Sequence, residues 1–110
     1  MTKYFKELSD LDKMDKEFLL KLDRAREVAQ IPFKINSAYR SPEHNAKIGG
    51  KPNSSHLKGL AVDISVTDSR SRFIVLKALI EVGFNRIGVA KTFIHVDDDK
   101  SKDSEVVWLY

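Results

Sequence analysis

The sequence predicts one α+β domain over residues 1–110, in which a layer of helices packs on a sheet. Two segments have the apolar spacing of helices and five short segments resemble strands. The chain has 110 residues, which is about one domain. Because 42% of its residues are hydrophobic, it can build one core, and a disordered chain is excluded.

Two segments are predicted to be helices. Between Asp15 and Gln30, apolar residues recur every three or four positions. Pro32 limits this helix, because the residue before a proline avoids the helical region. Ser69 to Val82 has the same spacing, and Gly83 supplies a C-terminal stop. Residues 1–14 are polar and predict an ordered cap or a short helix.

Strand-like alternation or short apolar runs appear at five places in the chain. These segments are Phe33–Tyr39, Leu60–Val66, Arg86–Ala90, Thr92–Val96 and Val106–Tyr110. Residues 41–55 hold two of the three prolines and the Gly49-Gly50 pair, so they predict a long loop with one helical turn at Glu43–Lys47. Long loops in small domains are often functional.

Composition excludes several classes of protein. Without cysteine, the chain has no disulfide scaffold, thiolate metal site or cysteine nucleophile. The net charge of +3 is spread along the chain, whereas nucleic-acid binders concentrate basic residues, so no nucleic-acid partner is expected. This charge is compatible with attraction to an acidic cell-wall polymer. The apolar runs are far shorter than the roughly 20 residues of a membrane span, and we expect neither a membrane partner nor a signal peptide.

Three residues form a candidate zinc site: His56, Asp63 and His95. Imidazole and carboxylate bind zinc, and three protein ligands with one open position are typical of catalytic sites. Asp63 lies in an apolar run, where a buried carboxylate needs a charge partner such as a dication. His56 and Asp63 are seven positions apart, which would place them on opposite faces of one unbroken strand. A bend at Gly59 would restore a common face.

A structural interpretation of the same residues is also open. A histidine on an apolar strand is most often a hydrogen-bonded core residue, and an aspartate can cap a helix or form a salt bridge. Spacing and composition alone do not decide between this interpretation and the metal site.

Four motifs between residues 37 and 97 carry a family resemblance. They are Ser37–Asn45 (SAYRSPEHN), Gly49-Gly50, Ser54–Ile64 (SSHLKGLAVDI) and Phe93–Asp97 (FIHVD). They resemble the zinc D-Ala-D-Ala carboxypeptidases and their relatives, the L-Ala-D-Glu endopeptidases used as phage endolysins. The resemblance implies the hedgehog/DD-peptidase fold, with a small antiparallel sheet and helices on one side. It also implies a Zn²⁺ cofactor and hydrolysis of peptide bonds in peptidoglycan stem peptides.

The resemblance also implies roles for individual residues. His56, Asp63 and His95 become the zinc ligands. Arg40 becomes the arginine that binds substrate and stabilises the developing oxyanion, and Ser54 becomes a substrate-facing residue. His44 matches no ligand position.

One position departs from the family pattern. Many members place an acidic general base three residues before the last zinc histidine, where this chain has Thr92, which cannot accept a proton at neutral pH. Asp97 is the nearest matched carboxylate and is our predicted catalytic base, since it follows His95 by two residues on one strand face. The alternatives are that Asp97 orients a neighbouring group or solvates a turn. Glu105 is a weaker substitute.

The resemblance leads to an expected setting for the protein. We expect a monomeric peptidase that acts on peptidoglycan stem peptides, located, if it is a phage lysin, in the host cytoplasm before release to the cell wall. The type of bond cleaved, by a carboxypeptidase or an endopeptidase, stays open. The alternative is a non-catalytic zinc-containing module that binds the cell wall or belongs to a virion.

Overall fold

One five-stranded sheet organises the protein, whose computed structural model describes residues 2–110. The strands lie in the order β1-β2-β4-β3-β5. Their bounds are β1 Ile35–Ser37, β2 Ala61–Ser65, β3 Arg86–Val89, β4 Phe93–Asp97 and β5 Val106–Leu109. The five strands lie within the five predicted segments or one residue beyond them. The strand predicted over Phe33–Tyr39 is reduced to its central three residues.

The sheet is antiparallel except for its last pair. β1 pairs with β2, β2 with β4 and β3 with β4, all antiparallel, whereas β5 runs parallel to β3. After β4 the chain crosses to the far side of β3, where it forms β5 in the direction opposite to β4. Because β3 also runs opposite to β4, β3 and β5 are parallel. The predicted α+β class is confirmed, and this one pairing differs from the antiparallel sheet that the resemblance implied.

Residues 2–110 also form three α-helices: α1 Lys16–Ala29, α2 Pro42–Lys47 and α3 Ser69–Glu81. α1 begins where the Asp15 carboxylate accepts from the Phe18 amide at 2.9 Å, and it ends at Gln30 in a left-handed conformation. A 3₁₀ helix at Leu11–Lys13 precedes α1, as expected for residues 1–14, of which Met1 lies outside the described residues. No helix in residues 2–110 is both long and apolar enough to cross a bilayer.

The sheet has one apolar and one polar face. Side chains alternate along a strand, so Val62 and Ile64 of β2 and Ile94 of β4 face the core, fully buried. They share that core with the apolar sides of α1 and α3. The intervening residues point to the other face, which the loop after β1 partly covers through α2 and a second 3₁₀ helix, Ser55–Lys58. This polar face holds the candidate site.

Candidate metal centre

The structure brings His56, Asp63 and His95 together on the polar face. One potential ligand atom from each lies within 4.8 Å of the other two. Asp63 Oδ1 is 3.4 Å from His56 Nε2 and 2.9 Å from His95 Nδ1. Asp63 and His95 are directly opposite each other in the pairing of β2 with β4, and both histidines are buried. Two imidazole nitrogens and one carboxylate oxygen therefore converge, close enough together to bind a single metal ion.

The backbone at Gly59 reconciles the seven-residue spacing of His56 and Asp63. His56 lies on the second 3₁₀ helix and not on a strand, so the strand parity argument does not apply to it. The helix ends at Gly59, whose φ of 69° favours glycine. A Cβ there would lie 2.2 Å from the carbonyl oxygen of Lys13. The expected bend is therefore the end of this helix. Glycine is required there for two reasons: its positive φ, and the lack of space for a side chain.

The backbone sets the tautomer of His56. Its Nδ1 is 2.8 Å from the carbonyl oxygen of Ala38, which can only accept, so Nδ1 carries the hydrogen and donates it. Nε2 then presents its lone pair toward Asp63. A metal ligand whose other ring nitrogen donates to a carbonyl is held in orientation by that bond.

His95 is held from its far side by Asp97. His95 Nε2 donates to Asp97 Oδ2 at 2.7 Å, which leaves Nδ1 as the nitrogen that faces Asp63. Asp97 is only 1% exposed, and its other oxygen accepts from Arg86 Nε at 2.6 Å and from the Asp99 amide at 3.1 Å. Both carboxylate oxygens are thus engaged. These contacts support the orienting role for Asp97, and its role as general base stays a prediction.

The charges of the cluster shift its protonation equilibria. Burial raises the pKa of Asp63, but the close contacts of its carboxylate with the His56 and His95 rings outweigh burial and hold this pKa well below its usual range. Burial lowers the pKa of His95, but the negative charges of Asp63 and Asp97 beside the ring outweigh burial and raise the pKa above its ordinary value. Asp63 is therefore a carboxylate at neutral pH, which is the form that a cation requires.

Arg40 lies at the edge of the same cluster. Its Nη2 atom is 3.7 Å from Asp63 Oδ2, and its Nε donates to Ser37 Oγ at 3.1 Å. The Nη1 atom donates to Asn45 Oδ1 at 3.3 Å, and the Asn45 amide nitrogen donates to the Lys51 carbonyl. The guanidinium is thus oriented from two sides while it still lines an open cavity.

The other predicted residues lie in different places. Ser54 lines the cavity, and its hydroxyl accepts from the His56 amide, so it also begins the second 3₁₀ helix. His44 is exposed on α2 and is absent from the cavity lining. Thr92 and Glu105 are likewise exposed and lie outside that lining. The structure thus brings Arg40 and Ser54 to the cluster and leaves His44, Thr92 and Glu105 outside it.

A cavity of about 640 Å³ opens above the cluster. At the β1 side its wall includes Arg40, with Lys51 from the loop, and at the β5 side it includes Trp108 and Tyr110. Sequence reasoning missed both aromatic residues, as well as Arg86. The sequence indicated only that Trp108 and Tyr110, two positions apart in a predicted strand, lie on the same face of that strand. It did not show that this strand lies close to the strand of His95.

One comparison with known proteins supplies a family. The family model described as Peptidase M15 matches residues 5–97, which include all three candidate ligands and Arg40. None of the curated proteins compared with the chain matches it. The match covers most of the chain and ends before β5.

Proposed function

This chain belongs to the peptidase M15 family of zinc peptidases, and on that premise we propose that it hydrolyses a peptide bond in peptidoglycan stem peptides. The observation that carries the proposal is the cluster of His56, Asp63 and His95 below an open cavity. Both imidazoles are fixed from their far sides, so that their remaining nitrogens face one carboxylate.

The donor atoms fit zinc. Two neutral imidazole nitrogens and one carboxylate are a common ligand set of catalytic zinc sites, which leave a further position open. His56 Nε2, His95 Nδ1 and a carboxylate oxygen of Asp63 would hold the ion. When bound, zinc polarises the scissile carbonyl and lowers the pKa of water toward 7.

Arg40 would bind the negative charge of the substrate. Its hydrogen bonds to Ser37 and Asn45 fix the guanidinium before substrate arrives, so little reorganisation is needed. A fixed donor aimed at charge that develops in the transition state contributes about 3–4 kcal/mol. The same guanidinium suits a carboxylate of the peptide, because its planar fork matches carboxylate geometry.

Digestion of purified peptidoglycan tests the proposal. We expect the zinc-loaded protein to release peptide fragments that mass spectrometry identifies, and we expect a chelator to abolish their release. The masses distinguish a D-Ala-D-Ala carboxypeptidase from an endopeptidase. His56→Ala should be inactive, whereas His44→Ala, which changes the exposed histidine of α2, should remain active. Bound zinc without any released fragment would favour the alternative, a zinc-containing module that binds the cell wall or belongs to a virion.

We further propose an endolysin-like role, in which a monomer accumulates in the host cytoplasm and is then released to the wall. The support is the family and the positive net charge, which favours an acidic polymer. Cytoplasmic expression in a bacterium should cause lysis only when the membrane is permeabilised. Lysis without permeabilisation would contradict the proposed route.

A further inference from the structure

We propose that β5 provides a substrate-binding wall, formed by Trp108 and Tyr110, that contacts the peptide beside the scissile bond. We call these two residues the aromatic wall. This inference rests on the proposed peptidase function and deepens it. The wall lies outside residues 5–97, so the family match does not include it.

The pairing of the strands places the aromatic wall beside the metal centre. Asp63 pairs with His95, His95 with Gly88, and Gly88 with Trp108, in one row across four strands. Paired residues project to the same face of a sheet. Trp108 therefore lies on the same face of the sheet as the candidate ligands Asp63 and His95. In this row only Gly88, which has no side chain, lies between Trp108 and His95.

Gly88 gives the two rings their position. A Cβ on Gly88 would lie 2.5 Å from Trp108 Nε1 and 2.7 Å from Tyr110 Cε2. The rings thus occupy the space that a side chain would fill. The Trp108 ring centroid comes to 5.6 Å from that of His95, so the aromatic surface reaches the edge of the candidate metal centre.

Other contacts hold the wall in place before substrate binds. The Arg86 guanidinium lies 5.1 Å from the Trp108 ring, and Arg86 also bonds the Asp97 carboxylate. The Tyr110 ring packs 5.0 Å from Phe93, and its amide donates to the Val89 carbonyl at 3.1 Å. Tyr110 remains 67% exposed, so much of its surface is open to a ligand.

The Tyr110 hydroxyl is a hydrogen-bond donor at neutral pH. Burial raises the pKa of this phenol, and the negative charges of Asp63 and Asp97 raise it further, against a hydrogen bond with Trp108 that lowers it. The phenol therefore stays protonated. It can donate to a peptide carbonyl in the cavity that Tyr110 lines.

The two sides of the cavity define the chemistry of the ligand. Arg40 and Lys51 present positive charge at one side, and the aromatic wall presents an apolar surface with one donor at the other. A peptide with a free carboxylate and small aliphatic side chains fits both. Trp and Tyr are enriched among residues that dominate binding energy, since they bury a large area with few rotatable bonds.

Stopped-flow anisotropy of a dye-labelled synthetic stem pentapeptide, mixed with zinc-loaded protein, measures binding before hydrolysis. We expect Trp108→Leu to raise the Kd by about 30-fold, as for the loss of a central aromatic contact. Tyr110→Phe, which removes only the hydroxyl, should raise the Kd by about 2- to 10-fold. Val107→Ala, exposed on the other face of β5, is the control and should stay within about twofold. Zinc content should be unchanged in all three variants.

Two results would overturn parts of this inference. If the parent protein binds and cleaves the pentapeptide while Trp108→Leu and Tyr110→Phe bind it as the parent does, the aromatic wall is wrong and the peptidase function stands. If the parent neither binds nor cleaves the peptide, the proposed function fails and the wall fails with it. Should Trp108→Leu not fold, Tyr110→Phe decides the question, since it removes one atom from a largely exposed side chain.

Discussion

The two faces of the sheet are formed by alternate residues of the same strands, yet their side chains are stabilised by different interactions. On the core face, Val62 and Ile94 are fully buried among apolar side chains. On the other face, the neighbour His95 is buried and the neighbour Asp63 is half-buried, but the close contact between them is polar. One strand thus supports the core with one residue and the candidate site with the next.

The difference concerns what burial requires. An apolar side chain needs only a close-packed environment, and its burial contributes about 1.5–3 kcal/mol. A buried polar group needs a partner, because an unpaired one costs about 1–3 kcal/mol. In residues 2–110, no buried side-chain nitrogen or oxygen lacks a hydrogen bond. The polar face is stable because Arg86, Asp97 and Asp99 complete its network.

The largest effect is expected from the loss of a candidate ligand on the polar face. Asp63→Ala should lower zinc affinity by more than about 100-fold, because changing even the partners of metal ligands costs about 10- to 100-fold. Competition with a chromophoric chelator measures this affinity. Asp12→Asn, an exposed carboxylate elsewhere, is the control and should bind zinc as the parent does. Equal zinc affinity in Asp63→Ala and the parent would contradict the metal centre.

On the apolar face, Ile94→Ala should lower stability and leave the three candidate ligands unchanged. We expect the free energy of unfolding to fall by about 2–5 kcal/mol, from lost burial and the cavity left behind. Urea unfolding measures the change. Ile80→Ala on α3, where the side chain is 54% exposed, should change stability by about 0.5 kcal/mol or less. If the two variants were equally stable, the division between the faces would be wrong.

Asp97→Asn separates the two roles considered for this residue. If Asp97 orients His95, the variant should lose about 10- to 100-fold in zinc affinity. If Asp97 is the general base, zinc affinity should persist while the rate falls by about 100- to 10,000-fold. The contacts of Asp97 lead us to expect the first result. Asp98→Asn, whose parent carboxylate pairs with Lys21 at 3.4 Å, is the adjacent control.

The smallest effect is expected at Asp99, in the network below the site. Burial raises the pKa of Asp99, but hydrogen bonds from Ser101, Ser55 and Lys58 outweigh it and lower this pKa below its usual range. The unfolded chain has a pKa of about 3.9 for aspartate. Asp99 therefore stabilises the protein above about pH 4, and this contribution is lost as pH falls further.

Unfolding of the parent and of Asp99→Asn at several pH values tests this contribution. At pH 7 the variant should be less stable by about 1–2 kcal/mol, from lost charge-assisted hydrogen bonds. The difference should shrink on acidification. A difference that stays constant from pH 7 to pH 3 would contradict the assigned protonation behaviour.

Local patterns in the sequence determined most of the secondary structure. The spacing from Asp15 to Gln30, with its capping residues, predicted α1 to within one residue at each end, because helix signals lie within a few positions of the bonds they affect. The family match over residues 5–97 confirms the resemblance that the motifs carried. The three candidate ligands came from those motifs, and the structure brings them together.

Tertiary structure decided the features that depend on strand register and long-range contacts. The ring nitrogen that each histidine presents follows from the Ala38 carbonyl and the Asp97 carboxylate, and the contact to Ala38 spans 18 positions. The aromatic wall follows from a parallel pairing that brings Trp108 beside Gly88. Alternation along one strand shows which residues share a face, but the neighbouring strand is chosen by the packing of the whole sheet. Sequence therefore determined the candidate ligands and the elements that carry them, whereas packing decided what surrounds them.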